Sequence, residues 1–300
     1  MISWNSADCL KKLKSQSYED RRNIRKEVYS STMKISSCQE YISSSGNKVS
    51  LKEIMNDNAL EDNDFNTKND PLTGQEHVFD TIVRVVNMDC LEYAKNLHDE
   101  DSSDDLCVLN MASSFNPGGG VLNGSNAQEE YLFRCTDYWR FLTQYSNGLN
   151  FIYAKYGIKS NKNYSYPLNG WYGGIFSHSV TVFRDTEKTG YALIDKPWNV
   201  NFIAVAAVNT KRDNNKVKEK NIEKIKTIFR LAYRNGQRRL VLGAFGCGVF
   251  KNSPYDIATM FKEALGDEEF KNIFKSVDFA IIEDENSTGK NFETFKKILE

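Results

Sequence analysis

Leu106-Cys107-Val108-Leu109-Asn110-Met111-Ala112-Ser113-Ser114-Phe115-Asn116-Pro117-Gly118-Gly119-Gly120-Val121-Leu122-Asn123-Gly124-Ser125-Asn126-Ala127-Gln128-Glu129-Glu130-Tyr131-Leu132-Phe133-Arg134 is the stretch on which the reading of this chain turns. Its first four residues are a short apolar run of the kind that forms a buried strand. Asn116-Pro117 then turns into three consecutive glycines. From about Asn126 to Tyr145 the pattern predicts one helix, with Leu132, Cys135, Trp139 and Leu142 as its buried stripe. Strand, glycine loop and helix is how backbone N–H groups are presented to a phosphate. Glycines also permit positive φ and remove every Cβ that would hold a ligand away. The loop alone suits a turn that binds nothing equally well. Gln128-Glu129-Glu130 sharpens the choice. Two carboxylates beside a diphosphate-shaped loop would repel the phosphates, unless a carboxyl group there is protonated and acts as an acid.

A second strand, glycine loop and helix follows later. Arg239 to Phe245 reads as a buried strand, Gly246-Cys247-Gly248-Val249-Phe250 as its loop, and Pro254 as the first turn of a helix carrying Ile257, Phe261 and Leu265. Two such loops at strand C-termini suit a diphosphate gripped from both sides. Thr81 to Val86 alternates and is β-branched, and Asp89 can cap the helix after it. Ile175 to Arg184, Gly190 to Ile194, the continuously apolar Phe202 to Val208, and Val277 to Ile282 read as further strands. A helix through Ile222, Ile225, Phe229 and Ala232 can end at Gly236, and Phe292 to Leu299 closes the chain as a short helix. This order fits an α/β fold with right-handed crossovers.

Residues 1–79 are the polar third of the chain. Tyr18 to Ile35 suits one amphipathic helix, Val49-Ser50-Leu51 a strand, and Asn56 to Asp70 a mobile segment with little to bury. Residues 147–174, rich in Tyr, Asn and Gly, read as a lid or a covered surface. Lys211 to Lys220 reads as a solvated, charge-dense loop.

A net charge of −1 gives no overall basic field for nucleic acid. The six cysteines form no Cys-x-x-Cys pair and read as reduced, with Cys107, Cys135 and Cys90 in apolar segments. Three histidines, none near a second ligand type at metal spacing, argue against zinc. No run of 18 apolar residues occurs and Met1 to Lys12 lacks a signal-peptide core. The expectation is a cytoplasmic protein without membrane or direct DNA partners, with delivery by a specialised secretion route left open.

Gly118-Gly119-Gly120 followed by Gln128-Glu129-Glu130 resembles the signature of the poly(ADP-ribose) glycohydrolases, and the wording Asn-Met-Ala-Ser…Asn-Pro-Gly-Gly-Gly is similar to the microbial type. Gly-Ala-Phe-Gly-Cys-Gly-Val-Phe, residues 243–250, resembles that family's second phosphate loop. Arg21-Arg22, Glu27, Tyr41 and the strand at Val49 are similar to its N-terminal extension, so the likeness runs from about residue 20 to the end. The resemblance implies a macrodomain-like three-layer α/β/α sandwich with a mixed central sheet. A mostly helical and extended extension, residues 1–79, would pack on a catalytic domain, residues 80–300.

It further implies hydrolysis of ribose–ribose O-glycosidic bonds in poly(ADP-ribose), with Glu130 as general acid and then base, and Glu129 holding a ribose hydroxyl. Gly118 to Val121, Gln128 and Gly246 to Val249 would contact substrate, the glycine loops through backbone N–H groups. Phe250 would pack on the terminal ribose, and Asn110 and Ser113 would lie near it. Neither metal nor cofactor is required. Partners would be ADP-ribose, its polymer and ADP-ribosylated proteins. Hydrolysis of protein-linked mono-ADP-ribose, and a non-catalytic ADP-ribose-binding macrodomain, remain alternatives. A dinucleotide-binding dehydrogenase fails for want of Gly-x-Gly-x-x-Gly with an acidic residue about 20 positions on.

Overall fold

A computed structural model describes residues 2–15, 17–148, 150–283 and 290–300. In chain order the elements are α1 (Ser6–Ser15), α2 (Tyr18–Cys38), β1 (Glu40–Ile42), β2 (Lys48–Ser50), β3 (Asp64–Asn66), β4 (Ile82–Val86), α3 (Cys90–Glu100), β5 (Leu106–Met111), α4 (Gln128–Cys135), α5 (Trp139–Leu142), α6 (Phe151–Ala154), β6 (Gly174–Arg184), β7 (Leu193–Val205), α7 (Val217–Arg234), β8 (Arg239–Leu242), α8 (Pro254–Gly266), β9 (Ser276–Ala280) and α9 (Asn291–Leu299). The chain forms two compact units, each assembled from three segments. One unit holds Met1–Asn63, Phe115–Pro167 and Ser177–Val200; the other holds Asp64–Ser114, Leu168–Phe176 and Asn201–Glu300.

Seven strands form one mixed sheet in the order β3-β6-β7-β5-β8-β9-β4. The strands from β7 to β4 pair in parallel, and β3 pairs antiparallel with β6. Cys107, Leu109, Ile203, Val205, Leu240, Leu242, Val277 and Phe279 point to one face, where α7, α8 and α9 bring Phe229, Phe261 and Phe295. The Phe229 ring lies 5.4 Å from those of Phe270 and Phe274. Each such ring removed from water contributes about 1.5–3 kcal/mol. The alternate positions, among them Val108 and Asn110, belong to the opposite face, and there α3 packs on β5 and β8. Helices on both faces make the three-layer α/β/α arrangement. Parallel β5 and β8 end at the same edge of the sheet.

The first unit has its own small core, in which Ile35 of α2, the β1–β2 hairpin residues Tyr41 and Val49, and Leu51 pack with Phe183 and Leu193. Ser17 caps α2 by accepting from the Asp20 N–H.

Several elements differ from the sequence reading. The single helix expected over Ala127–Tyr145 breaks after Cys135. Thr136 is extended and bridges to Val182, and the Asp137 carboxylate accepts from the Thr181 N–H at 2.7 Å. A side chain thus takes the place of a ladder partner, and burial pushes the Asp137 carboxyl up to about 6. The strands expected at 190–194 and 202–208 are one strand, β7, of 13 residues. The polar segment 56–70, expected to be mobile, holds a 3-10 turn at Asn58–Leu60 and the edge strand β3. Helix α1, in a stretch where no helix was expected, carries Cys9 and Leu13 on its buried side.

Candidate active site

In the first unit the glycine loop closes on itself before it meets α4. Gly118 and Gly119 have φ of +75° and +53°, a region where side chains are strained. Glu129 and Glu130 open α4 and are almost fully buried. The Gly118 N–H donates to Glu129 Oε1 at 3.0 Å, and the Gly120 N–H to Glu130 Oε1 at 2.8 Å. Glu130 Oε2 also accepts from the Ala127 N–H at 2.9 Å. That is half of a capping box, since alanine has no acceptor to return. Side chains on adjacent helical residues diverge by about 100°, yet both turn back to one glycine. A Cβ on Gly119 would lie 2.6 Å from Glu130 Oε1 and 3.1 Å from Glu129 Oε2. A side chain at this position fits only if the Glu130 carboxylate gives way.

The donor pattern of this loop differs from the one read from sequence. The Gly119 N–H donates to the Asn116 carbonyl and the Val121 N–H to the Gly118 carbonyl. All four N–H groups from Gly118 to Val121 therefore have acceptors within the loop and its helix. What this loop offers a ligand is close approach and two carboxylates. Gln128 leads α4 as its first residue, and Val121 is buried beneath the loop.

Four residues on from Glu130, on the same helical face, Arg134 is fully buried. Its guanidinium donates to the Ser125 carbonyl, Asn126 Oδ1 and the Tyr191 hydroxyl at 2.7, 2.7 and 2.8 Å. The Tyr191 hydroxyl donates to Glu187 Oε2, and Arg25 of α2 clasps Glu187 with two bonds of 2.8 and 2.9 Å. Burial would raise the Glu187 carboxyl, but the bonds from Arg25 and Tyr191 outweigh it and hold it below its ordinary value. Arg22 donates to the Asn123 carbonyl, and a Cβ on Gly124 would meet the Arg22 carbonyl oxygen at 2.1 Å. The N-terminal helix α2 thus holds the segment that presents Glu130. Sequence reasoning missed Arg134, Tyr191, Glu187 and Arg25; the Glu130–Arg134 spacing was the available signal.

In the second unit, Asn110 is buried in β5 and Ser113 lies just beyond that strand. The loop after β8 is open where the first is closed. Among the described residues, the N–H groups of Gly246, Gly248, Val249 and Phe250 donate to no protein acceptor, whereas those of Cys247 and Lys251 are bonded within the turn. Gly246 has φ +72°, and a Cβ there would sit 2.4 Å from the Ala207 Cβ and 2.6 Å from Asn252 Nδ2. Asn252 Nδ2 donates to the Gly246 and Val208 carbonyls, and its Oδ1 accepts from Asn221 of α7. These two buried asparagines brace the loop and were also missed from sequence. Burial pushes the Cys247 thiol up to about 12, so the sulfur is no nucleophile. Val249 is exposed, and Phe250 packs at the margin of the aromatic core.

Residues 9–185 match the family described as microbial-type PARG, catalytic domain, more than half of the chain. The chain belongs to the microbial-type PARG catalytic-domain family. Solved structures agree. The chain is similar to the poly(ADP-ribose) glycohydrolase of Thermomonospora curvata bound to the inhibitor ADP-HPD, with 27% identity, a TM-score of 0.71, and coverage of 92% of this chain and 99% of that one. A variant of that enzyme with one glutamate replaced by alanine matches at 26% identity and the same TM-score, 0.71, over 92% and 99%. The glycohydrolase of Deinococcus radiodurans in complex with ADP-ribose matches at 29% identity and a TM-score of 0.59, over 74% and 85%. No curated protein matches significantly by sequence. The PARG family match begins at residue 9, so the helix carrying Arg25 lies within it.

Proposed function

We propose that this protein hydrolyses the ribose–ribose O-glycosidic bonds of poly(ADP-ribose) and releases ADP-ribose. The observation that carries the reading is the Glu130 carboxylate, tied by the Gly120 N–H to the glycine loop and by the Ala127 N–H to the start of its own helix, with its Oε1 2.6 Å from where a Cβ on Gly119 would lie. Breaking the bond builds an oxocarbenium-like centre at the anomeric carbon, and the leaving oxygen needs a proton. Glu130 supplies that proton and then takes one from the attacking water. Glu129, tied to Gly118, orients a ribose hydroxyl. Gly118 to Val121 and Gln128 give the ribose close approach, and Asn110 and Ser113 lie along its path. The open N–H groups of Gly246, Gly248 and Val249, with Cys247 in the same turn, receive the diphosphate, and Phe250 packs on the terminal ribose. The chain's own carboxyls carry every proton transfer in this scheme.

Residues 1–79 act as an extension packed on a catalytic domain, residues 80–300, a reading supported by the bonds from Arg22 and Arg25. ADP-ribosylated proteins as carriers of the polymer, no direct DNA contact and a cytoplasmic site of action belong to the same proposal. No helix among the described residues is long and apolar enough to cross a membrane.

The test compares ADP-ribose release from poly(ADP-ribosyl)ated protein by wild type and Glu130→Gln, with ADP-ribose affinity measured for both. The variant loses roughly 10²–10⁴-fold in rate and keeps its affinity. A wild type that binds ADP-ribose but leaves polymer intact overturns the polymer reading and directs the assay to mono-ADP-ribosylated acceptors.

A further inference from the structure

Lys216, Lys220 and Lys224 follow one another at steps of four, from the residue before α7 into its second turn. Such residues share a helix face, and like charges there destabilise the helix. Asp213 accepts from Lys220 Nζ at 2.5 Å and is the one carboxylate bonded to this stripe among the described residues. Lys224 is 3% exposed, yet among the described residues its ammonium donates to no acceptor and pairs with no carboxylate. Glu223, its neighbour in sequence, turns instead to Arg230 at 3.6 Å. Burial, and Lys220 behind it, lower the Lys224 ammonium to about 8. A buried cation without a protein partner is a costly placement, and it is what a site for an anionic ligand requires.

Two further features lie on the same side. The half-exposed ring of Trp171, just ahead of β6, sits 5.8 Å from Lys220 Nζ and 6.0 Å from Lys216 Nζ. Asn169 Oδ1 fixes its turn by accepting from the Trp171 and Tyr172 N–H groups. The residue before α7, Lys216, gives the helix no side-chain cap, so the first turn keeps free donors and the positive end of the dipole. An aromatic face beside ammonium groups is how a base and its phosphates are held together.

This cluster lies within reach of the open glycine loop. The Thr210 N–H and hydroxyl both donate to the Phe250 carbonyl, at 3.1 and 2.8 Å, tying the segment before α7 to residues 246–250. In the sheet, β7 and β8 flank β5, so their ends stand about 10 Å apart at two strand spacings. A single ADP-ribose carries one diphosphate; the polymer carries one per unit.

We propose that Lys216, Lys220, Lys224 and Trp171 form a second anion site, which takes the diphosphate and a base of the ADP-ribose unit next to the one whose diphosphate lies on Gly246–Phe250. The inference rests on the glycohydrolase reading for its choice of polymer. Binding of purified poly(ADP-ribose) and of free ADP-ribose is measured side by side for wild type, Lys216→Ala, Lys224→Met and Trp171→Ala, across a range of salt concentrations. Each variant weakens polymer binding roughly five- to thirtyfold and changes ADP-ribose binding by less than about twofold. Each lysine removed lowers the salt slope by about 0.7, as for one phosphate contact on a single strand. Lys224→Met deletes an uncompensated buried charge, so its melting temperature is kept or raised; Lys216→Ala is an exposed change that leaves the core alone.

The inference is overturned if wild type binds polymer no more tightly than ADP-ribose, if the variants match wild type, or if both ligands weaken equally. Polymer binding that the variants weaken, in a wild type that releases no ADP-ribose, sinks the glycohydrolase reading and leaves the second site standing.

Discussion

Replacing Gly119 by alanine tests whether the glycine loop sets the place of the Glu129 and Glu130 carboxyls, proposed here as catalytic. Two effects add. The backbone at φ +53° costs an alanine about 1 kcal/mol. The new Cβ would lie 2.6 Å from Glu130 Oε1, and an ordinary contact begins at 3.4 Å. The carboxylate therefore moves by about 0.8 Å, and misplacement on that scale costs on the order of 10²-fold in rate. The move also strains the bonds to Glu130 from the Gly120 and Ala127 N–H groups, each worth about 1.5–3 kcal/mol as a bond to a charged acceptor. With partial relaxation the loss of stability comes to about 3–5 kcal/mol, or a fall of roughly 10 °C in Tm. Gly46→Ala is the control. Its φ is +88° and a Cβ there meets nothing within 4 Å, so it carries the backbone cost alone. Thermal unfolding and the rate of ADP-ribose release are measured on both. A Gly119→Ala protein that keeps wild-type kcat, or loses no more stability than Gly46→Ala, refutes the reasoning.

Gly246→Ala meets Ala207 and Asn252 at 2.4 and 2.6 Å; it should weaken ADP-ribose binding at least tenfold by calorimetry, about 1.4 kcal/mol, with unchanged binding counting against the open loop as phosphate cradle. Two acids, the buried Asp137 and the half-buried Glu187, give opposite pH slopes. Glu187 is depressed, so its contribution is present above its ordinary value of 4.5 and lost as pH falls through the depressed one. Glu187→Gln should flatten that acid-side loss of Tm. Asp137 is raised from 3.8 to about 6, so stability falls as pH rises across that window. Asp137→Asn should remove the fall, and a Tm profile identical to wild type between those values would contradict the assignment.

Much of the site was legible because its chemistry is local. Gly118 to Gly120 and Gln128 to Glu130 stand close in sequence, and a glycine that must lie between two carboxylates leaves its mark in the residue types themselves. The parallel strands were legible for a similar reason, since β5, β8 and β9 are buried on both faces and read as apolar runs. What escaped was set by distant partners. Nothing near Thr136 marks a break in the helix; the bridge to Val182 and the bond to Thr181 decide it. Asp195, Lys196 and Pro197 look like a turn, yet β7 runs through them as one strand. Arg134 is an ordinary helical arginine until Tyr191, Glu187 and Arg25 are in place. The donor pattern was hidden too: three glycines announce a loop, but not that glutamate side chains occupy its N–H groups.

The interleaving of the two compact units bears on how this chain is made. The unit that holds the glutamates needs Ser177–Val200, and strands β6 and β7 each begin in one unit and end in the other. Residues 18–38 leave the ribosome long before Glu187 does, and at 5–20 residues per second the wait is on the order of ten to thirty seconds. During that interval Arg25 has no carboxylate to clasp, and the apolar side of α2 has no Phe133 beneath Tyr29. Neither unit can close until two-thirds of the chain has been synthesised. The nascent protein therefore waits with the apolar side of α2 uncovered, and there it is exposed to aggregation and proteolysis until the later segments arrive.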